Sequence, residues 1–386
     1  MRVKVAVVFL SCVFIVGCGG SGGANFGGGG NLVSPPAISA TSAQNGAVIV
    51  SLTPTTQGSL IHYTVDGSTP TPTSPQYLAP FLVASNLTLK AMAVGGSGSA
   101  LTLSTVTSMT FSANIPPGTL VWSDEFTNNS TTNAQPDPTI WTYDTGNSGF
   151  GNNELEDYCG WNSSISPCDP ANPNVYVGAD GYLHIWARSP AANTFTSARL
   201  KSQGLFSFEY GRLEFSAMVP EAQGFWPAVW LLGNNISTIG SDIDPWAVNW
   251  PACGEMDVLE RVGAAGSPDG NAGSIHGTGF TVGKLGTWYF FPAGETAAQW
   301  HTYGMIWKPG SVTYYIDDPS IPGNTYVTYT PASLNGLSGA VWPFDAGQSN
   351  FLIINLAIGG SWPGPPGSST PFPSEMLVDY VRIYTN

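Results

Sequence analysis

Trp250-Pro251-Ala252-Cys253-Gly254-Glu255-Met256-Asp257-Val258-Leu259-Glu260 is the segment from which the fold is read. Glu255, Met256 and Asp257 alternate acidic and apolar side chains, the period of two shown by a β-strand with one buried face. Glu260 lies five positions after Glu255, and strict alternation would turn it to the opposite face. One extra residue taken up in a β-bulge restores it, and bulges are over-represented beside active sites. The segment therefore predicts a bulged strand with three carboxylates on one face. At a rise of ~3.3 Å per residue, four effective steps put the Glu255 and Glu260 Cα atoms ~13 Å apart, a gap that two long side chains mostly close. Chance supplies Glu-x-Asp-x-x-Glu in a chain of this composition on the order of 0.01 times. Met256, Val258 and Leu259, with Trp250 and Cys253 beside them, make the strand largely buried, and acids without basic partners are costly there unless chemistry requires them.

The rest of the chain fits a strand-rich protein. Its 386 residues exceed what one core usually holds, so two domains are expected. Hydrophobic residues make up 42 % and charged residues 9 %, with 47 Gly and 31 Pro, a composition of short strands and many turns. Beyond the N-terminus no helical spacing of apolar residues persists without Gly or Pro, and the fold class expected is all-β. A net charge of −14 argues against nucleic acid or an anionic membrane surface as partner and leaves a neutral ligand. Thirteen Trp exceed what a core needs, and indole faces stack on the apolar faces of sugar rings. His-Glu-x-x-His, Cys pairs at zinc spacing and a phosphate-cradling Gly loop are absent, so no cofactor is expected for catalysis.

Arg2 and Lys4 precede the apolar run Val5 to Val16, too short for a membrane span but suited to an export signal. Ile15-Val16-Gly17-Cys18 is similar to the lipobox of bacterial lipoproteins, which makes Cys18 the expected lipidation site and the lipid chain the one contact with a membrane. Residues 1–18 are then the signal, and 19–33 a Gly-rich tether that frees the exported protein from the cell-envelope surface. Residues 34–113 alternate apolar and polar residues in short runs between Gly and Pro turns, a small β-sandwich. Within it Ile61-His62-Tyr63-Thr64-Val65-Asp66-Gly67-Ser68-Thr69-Pro70 resembles chitobiase C-terminal-like modules, which implies an immunoglobulin-like fold. A spacer role is favoured over sugar binding, because no cluster of exposed aromatics is apparent. Asn114 to Gly118 reads as a linker, and residues 119–386 form the second domain. Cys159 and Cys168 bracket a loop short enough for a disulfide in an oxidising compartment, whereas Cys253 reads as core packing.

Cleaving a glycosidic bond with retention needs a nucleophilic carboxylate and a protonated carboxyl about 5–5.5 Å apart, which the bulged strand can supply. At this point the resemblance becomes close. The opening segment is similar to the signature of glycoside hydrolase family 16 in its bulged, laminarinase-like branch. Further matches include Val121-Trp122-Ser123-Asp124-Glu125-Phe126, Gly151-Asn152-Asn153-Glu154-Leu155, Phe225-Trp226-Pro227-Ala228-Val229-Trp230, Ile275-His276-Gly277 and Ile354 to Gly360. The resemblance implies a concanavalin-like β-sandwich, or jelly roll, whose concave sheet forms an open cleft. It implies Glu255 as nucleophile, Glu260 as acid/base and Asp257 tuning their protonation. It also implies sugar contacts from Trp226, Trp230, Trp250 and His276, more weakly from Asn152, Arg199 and Trp362, and a structural Ca²⁺ at Glu125 and Asp379.

The substrate so implied is an extended neutral polysaccharide, a β-1,3-glucan or a mixed β-1,3/1,4-glucan, cleaved internally by a monomer. An agarase or carrageenase is the alternative within the class, although eleven Lys plus Arg leave little for a basic cleft. A non-catalytic β-glucan-binding protein is the alternative outside it, and such proteins lose the carboxylates that this chain keeps. Three departures bear on specificity: the insert Asn234 to Asn249 with Trp246, Arg261 after the acid/base, and Asp318-Pro319 in place of Asp-Gly.

Overall fold

The computed structural model describes residues 33–96, 101–236, 248–264, 269–281, 283–345, 347 and 349–386. Cys18, the signal, almost all of the tether and Trp246 lie outside the described residues. Helix is confined, among the described residues, to two single 3-10 turns, Gly149–Gly151 and Pro331–Leu334, as the Gly- and Pro-rich sequence requires.

Two large sheets, antiparallel except where Glu156–Tyr158 runs parallel to Thr194–Ser197, form the second domain. The concave sheet comprises β1 (Thr142–Asp144), β2 (Arg199–Lys201), β3 (Phe225–Gly233), β4 (Glu255–Glu260), β5 (Gly270–His276), β6 (Gly286–Phe290) and β7 (Asn350–Ile358), in the spatial order β6-β5-β4-β3-β7-β2-β1. The ten-stranded convex sheet is centred on Ser374–Tyr384, which pairs with Gly211–Met218, Leu183–Ala191 and Leu120–Asp124. Alternation does the packing. Leu213, Phe215 and Ala217 point inward from the convex sheet and meet Val229, Leu231, Met256, Ile275, Ile354 and Leu356 from the concave one, all buried in one core. The opposite face of the concave sheet is covered in part by the cluster of Leu232, Cys253, Phe351 and Ile353, and the remainder is left to line a cleft.

The small domain is a sandwich of a three-stranded sheet (Ala37–Ser42, Val48–Thr53, Phe81–Val83) and a four-stranded one (Leu60–Thr64, Leu87–Gly95, Thr102–Leu103, Thr107–Phe111). Val50, Leu52, Ile61, Tyr63, Phe81, Val83, Leu89 and Ala91 form its own core. It does not hang from a free linker. Residues Val33–Asn386 form one compact unit. Leu82 N–H donates to Ser207 O at 3.0 Å, Ser207 Oγ donates to Pro80 O at 2.9 Å, and Gln44 N–H donates to Val121 O at 3.1 Å. Ala47 is buried in the larger domain's core, and Ile49, Leu82 and Ile115 pack against it. The expected linker is itself pinned, since Thr385 Oγ1 donates to Pro116 O at 2.6 Å and Gly118 N–H to Thr385 O at 3.0 Å.

Candidate active site

The β3–β4 register decides where the acids point. Leu232 faces Glu255, Leu231 faces Met256 and Trp230 faces Asp257; the ladder then slips, so that Val229 faces Leu259 and Ala228 faces Glu260. Val258 is the extra residue of a β-bulge. Residues directly opposite share a face, so Glu255, Asp257 and Glu260 all stand on the side of Trp226, Ala228 and Trp230, while Met256, Val258 and Leu259 enter the core. A bulge frees backbone groups that a buried strand must pair. Asn271 on β5 pairs them: its Oδ1 accepts from Glu260 N–H at 3.0 Å and its Nδ2 donates to Val258 O at 3.0 Å. Tyr326 OH accepts a further bond from that Nδ2 at 3.1 Å.

Each acid has its own neighbour. Trp250 Nε1–H donates to Glu255 Oε2 at 2.8 Å, and Trp226 Nε1–H donates to Glu260 Oε1 at 3.1 Å. His276, paired across β4–β5 with Glu255, brings Nε2 to 3.1 Å from Asp257 Oδ2 and 3.7 Å from Glu255 Oε1. Burial pushes the Glu255 carboxyl up to about 8, the charge of Asp257 adding to the rise, while His276 and the Trp250 N–H pull the other way. Burial likewise pushes Asp257 up to about 8, with its bond to Glu255 opposing. Glu260 is raised well above the usual carboxylate range by burial and then by the Asp257 charge. Glu255 and Glu260 keep a partly exposed edge toward the cleft, through which water and substrate reach them. The cluster therefore retains protons near neutral pH, as a general acid requires.

The flanking residues divide into those that face the cleft and those that hold others in place. Trp226, Trp230, Trp250 and His276 all gather around the acids. Trp230 donates from Nε1 to Asn355 Oδ1 at 2.8 Å, Asn355 Nδ2 donates to Tyr158 OH at 3.2 Å, and Tyr158 OH donates to Glu154 Oε2 at 2.7 Å. Asn152 Nδ2 donates to the other oxygen of Glu154 at 3.2 Å, so its amide supports this chain, which starts on the carboxylate face at Trp230 and Asn355. Arg199 lies between the Phe150 and Trp230 rings, 5.2 and 4.8 Å from their centroids, with Nε 3.0 Å from Asp144 Oδ2. Trp362 is 41 % exposed and stands edge-on to Trp226 at 5.7 Å. Asn271, Asn355, Tyr158 and Glu154 escaped the sequence reading as site residues. Glu154 and Asn355 stood inside quoted motifs, but Asn271 and Tyr158 had no local signal.

Of the two residues expected to hold calcium, Glu125 is engaged by an arginine. Both oxygens of Glu125 accept from Arg382, Oε1 from Nε at 2.9 Å and Oε2 from Nη2 at 2.7 Å, so the guanidinium already supplies the positive charge. Among the described residues, the groups of three or more His, Cys, Asp or Glu whose ligand atoms come within 4.8 Å of one another are Glu255–Asp257–His276 and Glu295–His301–Asp317, and neither includes Asp379. In the second group His301 is engaged at both nitrogens, by Asp317 at 3.0 Å and Thr296 O at 3.2 Å. Cys159 and Cys168 form the expected disulfide, with Cα atoms 5.8 Å apart, and Cys253 is buried as expected. Arg261 is buried, donating to Glu221 O at 3.0 Å and to Asp269 at 3.2 Å. A separate cavity of about 260 Å³, lined by Asn174, Arg188 and Phe372 among others, involves none of the residues around the acids.

A jelly roll whose concave face gathers three protonatable carboxylates on one bulged strand, between indoles, defines a polysaccharide-cleaving glycosidase. The chain belongs to glycosyl hydrolases family 16: residues 168–351 match that family's profile, and residues 39–107 match the chitobiase/beta-hexosaminidase C-terminal domain. It is 36 % identical over 278 residues to a beta-glucanase of Rhodothermus marinus, covering 70 % of this chain and 86 % of the relative. It is 34 % identical to a glucan endo-1,3-beta-glucosidase of Niallia circulans, covering 69 % of this chain and 37 % of that longer protein. The crystal structure of the laminarinase catalytic domain of Thermotoga maritima superimposes with a TM-score of 0.57 at 34 % identity, covering 70 % of this chain and 99 % of that one.

Proposed function

We propose that this chain cleaves β-1,3-glucan internally with retention of configuration, and accepts mixed β-1,3/1,4-glucan. The observation that carries the reading is the register slip at Val258, which returns Glu260 to the face of Glu255 and Asp257. Glu260, whose carboxyl burial raises well above the usual range, donates to the leaving oxygen while ionised Glu255 attacks the anomeric carbon. The glycosyl-ester intermediate is then hydrolysed by a water that gives its proton back to Glu260. Asp257 lies between them and, with His276, adjusts how the cluster shares its protons. Trp226 and Trp250 orient one acid each and offer ring faces to sugar. The names of the relatives support a β-glucan as the polymer.

The test is a reducing-sugar assay on laminarin, lichenan, agarose and carrageenan, with the anomer of the first product followed by NMR. Glu255→Gln and Glu260→Gln are each expected to lower turnover by about 1000-fold or more while leaving the fold intact. An active Glu255→Gln enzyme, or inversion at the anomeric carbon, would remove the mechanism. We also propose export with a lipid anchor at Cys18, supported by the lipobox-like sequence and by the Cys159–Cys168 disulfide, which suits an oxidising compartment. Failure of the full-length chain to incorporate labelled fatty acid in a bacterial host would overturn the anchor.

A further inference from the structure

The notable side chain outside the residues already considered is Trp288. It lies on β6, the edge strand of the concave sheet, directly opposite Ala272 of β5. Along β5, Ala272, Ser274 and His276 share a face by alternation, and Ser274 and His276 pair with Asp257 and Glu255. Trp288 therefore stands on the carboxylate face, two strands or ~10 Å to one side of the catalytic strand. Phe290, paired with Gly270, shares that face and is 60 % exposed.

Core packing does not account for this indole, because Trp288 belongs to none of the hydrophobic clusters. Its ring contact is with the exposed Trp362, at 6.0 Å and 72°. Trp362 in turn meets Trp226, whose N–H reaches Glu260, so three indoles run without a break from the acid to the sheet edge. The floor beside them is kept low by Ala272, Ser274 and Gly286. A Cβ on Gly286 would already come within 3.0 Å of Ser274 Oγ. An edge strand bearing exposed aromatics invites aggregation, and it is tolerated where a ligand covers the rings.

We propose that Trp288, braced by Trp362, is a specificity-determining platform that binds a neutral pyranose of the polymer beyond β5 and so favours long chains over short ones. The inference rests on the β-glucanase reading and extends its cleft in one direction. The experiment compares the wild type with Trp288→Ala and Trp288→Phe in the full chain, by steady-state kinetics on laminari-oligosaccharides of increasing length and on laminarin. For Trp288→Ala we expect KM on laminarin to rise about threefold to tenfold. The loss should grow with chain length, and Trp288→Phe should recover part of it. An unchanged KM overturns the platform, and so does a loss equal at every length, which marks simple structural support. Should Trp288→Ala not fold, the length dependence of Trp288→Phe decides by the same criteria. The two proposals fail differently: a wild type inactive on every β-glucan defeats the substrate reading. The same length series, made from whichever neutral polymer the enzyme does cleave, then tests the platform.

Discussion

Replacing Glu255 by Gln should stabilise the protein, and only above mildly acidic pH. Folding raises this carboxyl from 4.5 to about 8, so its ionised form is less welcome in the native state than in the unfolded chain. The penalty is absent below pH 4.5, grows as pH rises, and is complete above about pH 8. At about 1.4 kcal/mol per pH unit the displacement corresponds to on the order of 5 kcal/mol for Glu255 titrating alone, a figure its 14 % side-chain exposure trims only slightly. Glu260 ionises more readily once the neighbouring charge is gone, which gives back part of the gain and leaves about 2 kcal/mol at pH 8.5. For a domain of this size that is about 4–8 °C in Tm. The amide oxygen of Gln can still accept from Trp250 Nε1, so the packing is kept. Calorimetry at matched scan rates should show coincident melting of wild type and Glu255→Gln at pH 4, and a higher Tm for the variant at pH 8.5. A gain of the same size at both values, or a loss at pH 8.5, refutes the claim that the cluster is strained by its own charge.

Deleting Val258 removes the bulge and leaves Glu-x-Asp-x-Glu, in which strict alternation keeps Glu260 on the face of Glu255. Preparations that remain folded by circular dichroism should therefore retain activity on laminarin, and a folded but inactive deletion counts against the register argument. Asn271→Ala leaves Glu260 N–H and Val258 C=O without their partner, and chemical denaturation should register about 2–3 kcal/mol of lost stability with a lower kcat. Phe81→Ala empties the small domain's core at a cost of about 3–5 kcal/mol. Because that domain is packed against the catalytic sandwich, calorimetry should show one transition moving down, and a separate early transition for the small domain alone counts against the docking.

The odd spacing of Glu260 was readable in advance because two constraints met on one short segment. The chemistry demands a second carboxyl near the first, and the strand's period forbids it without an inserted residue. All-β architecture was readable for a similar reason, since Gly and Pro at this density leave nothing else to build. The residues that complete the site follow no such local rule. Asn271 reaches the bulge from the neighbouring strand, and nothing in its surroundings marks it apart from any other buried Asn. Glu125 sits where a calcium ligand was expected, but its partner Arg382 arrives from the far end of the chain, and only the paired register of Leu120–Asp124 with Ser374–Tyr384 brings them together. The docked small domain belongs to the same class, because its contacts through Ser207 and Val121 join residues that a linear reading assigns to separate bodies.

These long-range contacts explain how the fold sustains three buried acids. An acid pushed above its usual range costs stability, so its surroundings must be held rigidly enough that the carboxyl cannot relax toward water. Trp226 and Trp250 fix Glu260 and Glu255 from opposite ends of the strand, Asn271 locks the backbone between them, and the Trp230–Asn355–Tyr158–Glu154 chain stiffens the adjoining floor. Glu156, fully buried two residues from Glu154 and raised well above its ordinary value by burial and by that neighbour, is a stressed carboxyl beside the same chain. It accepts from Ile358 N–H at 2.6 Å, the last residue of β7, which carries Asn355. Strain at the catalytic strand is thus matched by a polar framework along β3 and β7, anchored on the face that carries the acids, and a substitution in that framework should alter the protonation of acids it never touches.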